Sequence, residues 1–150
     1  MEGPVFLQIR NALENAGILS YLGPAEVDVL VSKLRLQHFS KAETVIRQGE
    51  KGDAFYVLAE GRAEVYLEKP KRKKIAEMGA GDFFGEISLL TNEPRSATVT
   101  VKEGALLFIL EGKDFGNILL ANRDTLKLLV HTAVDRKNRA DSGRKTRRKS

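Results

Sequence analysis

Gly85, Glu86, Arg95 and Ser96 are the residues whose types and spacing read most directly as chemistry. Gly85 followed by Glu86, Ile87, Ser88, Leu89 and Leu90 predicts a helix of one to two turns, ended by Asn92, Glu93 and Pro94. The first N–H groups of a helix have no partner inside it and point outward, where they attract an anion. Gly85 lets that anion come close to the backbone. Arg95 returns to the same end with a guanidinium fork suited to a phosphate. Spacing alone leaves a plainer alternative open. Glu86 and Arg95 can pair around a tight turn, with Ser96 an ordinary strand-start residue, and a single glycine and arginine do not decide between the two.

Other chemistries find little to work with. The 150 residues contain no cysteine, which excludes a disulfide framework, thiolate metal sites and a cysteine nucleophile. The two histidines, His38 and His131, stand apart, and no cluster of Asp, Glu and His offers ligands that would activate water. The expectation is a protein that is not an enzyme and has no metal. No apolar run approaches the roughly 20 residues of a membrane span, and residues 1–10 lack the pattern of a signal peptide, so a cytoplasmic location is expected. With 42% hydrophobic and 30% charged residues, the chain has the balance of one compact domain with its own core.

The net charge of +5 is unevenly placed. From Asp135 to Ser150 there are eight bases against two acids, which leaves the rest of the chain at −1. The expected organisation is therefore a domain over 1–137 and a basic, disordered tail over 138–150. Such a tail gives weak, salt-sensitive contact with anions or nucleic acid, but no stacking aromatic or recognition helix accompanies it. A second basic cluster, Lys69 to Lys74, reads as a solvated hairpin tip on the far side of the domain from Gly85 to Ser96.

Helical spacing of Val5, Ile9, Ala12, Leu13 and Ala16, closed by Gly17, predicts a first helix. Pro24 with Val27, Leu30, Val31 and Leu34 predicts a second. Between Leu36 and Glu111 the period shortens. Strands are expected at Leu36–Phe39, Thr44–Arg47, Phe55–Ala59, Ala63–Leu67, Lys74–Met78, Ala97–Val101 and Leu106–Leu110, with glycines such as Gly61 and Gly104 in the breaks. Phe115, Ile118 and Leu119, then Leu126, Leu129, Val130 and Ala133, restore the helical period. The fold class is α+β: an antiparallel β-roll of about eight short strands, N-terminal helices, a short inserted helix and two C-terminal helices.

The segment Phe84-Gly85-Glu86-Ile87-Ser88-Leu89-Leu90, followed by Pro94-Arg95-Ser96-Ala97-Thr98-Val99, resembles the phosphate-binding cassette of the cyclic-nucleotide-binding domain family. That family includes the catabolite activator protein, protein kinase A regulatory subunits and cyclic-nucleotide-gated channels. Ile46 to Leu58 and Gly61 to Val65 resemble its early roll, and the likeness runs from about Asn11 to Lys137. Ala42 stands where a glycine is common, and neither a helix-turn-helix nor a kinase domain is present.

The resemblance implies a regulatory sensor whose ligand is a cyclic purine mononucleotide, cyclic AMP first and cyclic GMP second, with an effector it does not identify. The alternative is a basic nucleic-acid-binding or partner-docking protein acting through its tail. Carried over, the roles are specific. Backbone N–H groups near Gly85, Ile87 and Ser88, within a cassette opened by Phe84, face the cyclic phosphate, and Arg95 neutralises it. Glu86 accepts from the ribose 2′-OH. Ser96 and Ala97 complete the cradle, and the Ser96 hydroxyl can also meet the 2-amino group of guanine. The last helix is expected to act as a lid: Leu129, Val130 and Ala133 cover the purine, and Arg136 stacks on the base or bonds its edge.

Overall fold

The computed structural model describes residues 17–146 together with Asn11 and Leu13, both of which are helical. The rest of the helix expected over Val5 to Ala16 lies outside the described residues. Gly17, at φ 78°, turns the chain into a short 3-10 segment, Ile18–Tyr21. Helix α1 (Pro24–Lys33) starts as its sequence predicts. Proline occupies the first position, and the Gly23 N–H donates to Glu26 Oε1 at 2.8 Å. Val27 and Leu30 are its buried face.

Six antiparallel strands form one sheet among the described residues: β1 (Arg35–Phe39), β2 (Thr44–Ile46), β3 (Ala54–Leu67), β4 (Lys73–Met78), β5 (Phe83–Phe84) and β6 (Thr98–Glu111). The order is β1-β6-β3-β4, with β2 paired to β6 and β5 to β3. The α+β roll is the expected one, but its strands are fewer and longer. Phe55–Ala59 and Ala63–Leu67 are one 14-residue strand, as are Ala97–Val101 and Leu106–Leu110, apart from Ala97 itself. Gly61 does not break β3 but bends it. It sits at φ 93°, its pairing with β6 shifts on either side, and a Cβ there would lie 2.4 Å from the Gly104 carbonyl oxygen.

Alternation along β3 and β6 divides the core between the two faces of this sheet. Phe55, Val57, Phe108 and Leu110 face a cluster completed by Leu13, Leu30, Phe115, Leu119 and Leu129. Leu58, Ala63, Leu107 and Ile109 face the inside of the roll with Phe84, Val99 and Val101. Ala42 holds φ 75° in the turn before β2, the left-handed conformation that explains why glycine suits the position.

Helix α2 (Glu86–Thr91) is the short inserted helix. After β6 come α3 (Gly112–Asp114), a π-helical turn (Phe115–Leu119) and α4 (Arg123–Thr146). Asn122 caps α4 by accepting from the Thr125 N–H at 3.0 Å and donates to the Tyr21 carbonyl at 2.8 Å, tying the last helix to the first turn. The backbone stays helical through residues 138–146, against the disorder expected there. Residues 147–150 lie outside the described residues.

Candidate functional site

The site is built around two glycines. Gly85 is the left-handed N-cap of α2, and a Cβ on it would come 2.9 Å from the Ala54 carbonyl oxygen and 3.0 Å from Arg95 Nη1. Gly52 leaves room of the same kind, since a Cβ there would lie 2.5 Å from Ser88 Cβ and 2.8 Å from Arg95 Cζ. At the other end of α2, Asn92 takes φ 60° and its N–H donates to the Ser88 carbonyl at 2.9 Å. That turn sends the chain back past the helix start and delivers Arg95 there.

Arg95 is 4% exposed. Nη1 donates to the Gly85 carbonyl and Nη2 to the Ala54 carbonyl, each at 3.0 Å, and the guanidinium carbon stands 5.8 Å from the Tyr56 ring centre. No carboxylate among the described residues forms an ion pair with it. Burial accordingly pulls its pKa below the usual arginine value, with the nearby Tyr56, Asp53 and Glu86 opposing. Its backbone is held from both sides: the Gly49 N–H donates to the Arg95 carbonyl at 2.9 Å, and the Arg95 N–H donates to the Glu50 carbonyl at 2.7 Å.

Glu86 does not pair with Arg95. Its fully buried carboxylate accepts from Arg136 Nη1 at 2.7 and 2.9 Å, a contact across 50 residues of sequence. Arg136 also lies 5.1 Å over the Phe83 ring. Burial pushes the Glu86 carboxyl above its usual range, and the Arg136 charge works against that shift. Sequence reasoning singled out both residues without joining them.

These groups open on one cavity of about 180 Å³. Phe84, Gly85, Glu86, Ile87, Ser88, Arg95, Ser96, Ala97 and Arg136 all line it. Ile46, Val65, Ile75, Ala76 and Met78 give it an apolar wall. Ile75 reaches that wall from a bulge, because Val65 pairs with Ala76 while Tyr66 pairs with Lys74.

The remaining lid residues are elsewhere. Leu129 is fully buried in the core, Ala133 is buried outside the cavity, and Val130 is 42% exposed. Helical period places them on the same side of α4 in outline, but the helix buries Leu129 and Ala133, leaves Val130 to solvent, and brings Arg136 to the cavity. The basic hairpin is also closer than expected. Gln48 Oε1 accepts from the Glu68 and Lys69 N–H groups at the hairpin base, Gln48 N–H donates to Thr98 Oγ1, and the next residue bonds Arg95.

Outside the cavity, at its Glu77 rim, lies an ionic patch. Glu77 bonds Arg62 at 2.8 Å, Lys102 at 3.2 Å and Lys74, and Lys74 also holds Glu64 at 2.8 Å. No group of three or more potential His, Asp or Glu metal ligands occurs among the described residues, and no described helix is long and apolar enough to cross a membrane.

Residues 36–122 match the family profile of the cyclic nucleotide-binding domain. The chain is 39% identical over 115 residues to a cAMP-dependent protein kinase regulatory subunit of Yarrowia lipolytica, covering 77% of this chain and 30% of that one. It is 33% identical over 117 residues to a cGMP-dependent protein kinase of Eimeria tenella, covering 78% of this chain and 11% of the relative. The chain thus spans a third or less of these relatives. Among solved structures, cAMP-bound PfPKA-R (141–441) superposes with a TM-score of 0.78 at 27% identity, over 88% of this chain and 45% of that one.

Proposed function

The chain belongs to the cyclic nucleotide-binding domain family, and from that premise we propose how its site takes a ligand: it holds a cyclic purine mononucleotide by the phosphate at Arg95 and signals occupancy through Arg136. The observation that carries this reading is the buried Arg95 guanidinium, in ion-pair contact with no carboxylate among the described residues and open to the cavity. A buried cation without a directly paired carboxylate is costly, and an anionic ligand reduces that cost on binding. The apolar wall of Ile46, Val65 and Ile75 supplies area for the flat face of a base. Cyclic AMP is the preferred ligand by a modest margin. The Ser96 hydroxyl on the lining can serve the phosphate or a guanine amino group, and one neutral hydrogen bond discriminates tens-fold at most.

Glu86 links binding to α4. Both carboxylate oxygens accept from Arg136, so a ribose hydroxyl donating to Glu86 competes with or tightens that contact. Occupancy then biases the position of the helix that carries Arg136, to the extent that its positions differ in ligand affinity. The domain itself is a binding module with no catalytic step, and its output lies in an effector or a longer chain. The tail-based alternative, nucleic-acid binding or partner docking, is not favoured, since the family match and the cavity both lie in the domain.

Calorimetry with cyclic AMP, cyclic GMP, 5′-AMP and adenosine tests the reading. Binding of both cyclic nucleotides, with 5′-AMP and adenosine far weaker, is the expected result. Equal affinity for adenosine removes the phosphate from the mechanism. Hydrogen exchange across 126–136 is expected to slow at saturating ligand, and unchanged exchange there removes the coupling.

A further inference from the structure

The hydroxyl of Ser88 is an anomaly in a well-paired interior. Buried polar groups are nearly always hydrogen-bonded, and a serine within a helix commonly bonds back to a carbonyl one turn earlier. Thr91 does so, donating to the Ile87 carbonyl at 2.7 Å, as does Thr132 to the Leu128 carbonyl at 3.0 Å. Ser88, 5% exposed, does not: its Oγ has no partner. The other buried orphan hydroxyl among the described residues, that of Thr125, lies away from the cavity, whereas Ser88 lines it. Gly52 packs against both groups, since a Cβ on it would lie 2.5 Å from Ser88 Cβ and 2.8 Å from Arg95 Cζ, so Ser88 and the Arg95 guanidinium are neighbours.

We infer that Ser88 Oγ is a direct ligand group that donates its proton to one of the two exocyclic phosphate oxygens of a bound cyclic nucleotide, beside Arg95. This rests on the cyclic nucleotide reading above and adds a side chain to a cradle otherwise expected to use only the Ser88 backbone. The protein offers this hydroxyl no acceptor, and the phosphate oxygen supplies one.

The full chain and its Ser88→Ala variant are titrated with cyclic AMP and with the Sp and Rp phosphorothioates, in which sulfur, a poorer acceptor, replaces one or the other exocyclic oxygen. Ser88→Ala is expected to weaken cyclic AMP roughly 10- to 100-fold, the range for a hydrogen bond to a charged group. It is also expected to change the Sp-to-Rp affinity ratio several-fold, because the diastereomer with sulfur at Ser88 has less to lose. The ligand-free variant is expected to melt no lower than the parent, since a buried unpaired hydroxyl has been removed. If alanine disturbs packing, Ser88→Cys, nearly equal in size and a weaker donor, repeats the comparison. Unchanged cyclic AMP affinity, or an unchanged Sp-to-Rp ratio, overturns the inference and leaves the binding function standing. A parent chain that binds none of the three overturns both.

Discussion

Two groups of charges meet at this cavity on opposite terms. On the outer sheet surface, Glu77 has Arg62, Lys102 and Lys74 as partners, and every hydrogen bond it accepts is solvated. The Lys74 bond, with those of Arg62 and Lys102, holds its carboxyl down at about 2. Inside, Arg95 has two carbonyls and a ring, and Arg136 is the one side chain in ion-pair contact with Glu86 among the described residues. The patch is crowded, self-sufficient and exposed, which makes such pairs weak in water. The interior is sparse and desolvated, so each missing partner weighs heavily. Charge density is thus a poor guide to function here, and unsatisfied charge a good one.

Arg95→Ala tests the comparison at its strongest point. Truncating a buried cation that meets a phosphate costs about 2 to 5 kcal/mol, so cyclic AMP affinity measured by calorimetry is expected to fall some 30-fold to several thousand-fold. The ligand-free melting temperature is expected to move little, because a desolvated charge leaves together with its two hydrogen bonds. Retained affinity would place the interior group on the same footing as the surface patch.

Gly52→Ala moves the same guanidinium without deleting it. The new Cβ must displace Ser88 or Arg95, and overpacking of this kind costs roughly 1 to 3 kcal/mol of stability. Cyclic AMP affinity is expected to drop about tenfold or more. Gly116→Ala, where a Cβ meets nothing within 4 Å, is the control and is expected to leave affinity unchanged.

Arg136→Ala leaves Glu86 buried without its cation. Arg136 is a quarter exposed, which tempers the loss to about 1 to 3 kcal/mol at neutral pH in denaturant melts. The pH dependence carries the sign. The folded Glu86 pKa is raised, so the ionised form burdens the fold above that value, and the burden is absent below the unfolded value. The variant is therefore expected to regain stability as pH falls through the raised Glu86 value toward the ordinary 4.5, and to do so more steeply than the parent.

Glu77→Gln has the smallest effect and the opposite sign. Its folded pKa is depressed to about 2 from an ordinary 4.5, so its contribution is full above 4.5 and is lost as pH falls toward 2. The variant is expected to flatten the parent's stability loss in that window. At roughly molar salt, where exposed charges are screened, the two melting curves converge.

The inserted helix was legible because its two ends need left-handed backbone and carry Gly85 and Asn92, residue types that tolerate it. Arg95 was legible for the same reason: Pro94 and the turn before it confine where the chain can go. The Arg136–Glu86 contact was not. It depends on how α4 docks, and the wide apolar set of Leu126, Leu128, Leu129, Val130, Ala133 and Val134 allowed several rotations, of which the core selected the one that exposes Val130 and Val134. Gly61 and Gly104 misled as strand breaks because they face each other in the folded sheet, and a close approach between strands calls for the same residue as a turn.

The double clamp on the Arg95 backbone has a kinetic consequence. With its N–H and carbonyl bonded to Glu50 and Gly49, and its side chain bonded to Gly85 and Ala54, the residue gives up its rotational freedom when the chain folds. On the binding mode proposed above, a ligand finds the guanidinium already aimed and need not wait for a loop to order. Association is then expected to be governed by encounter and desolvation, and differences in affinity among ligands to be expressed mainly in how long each one stays.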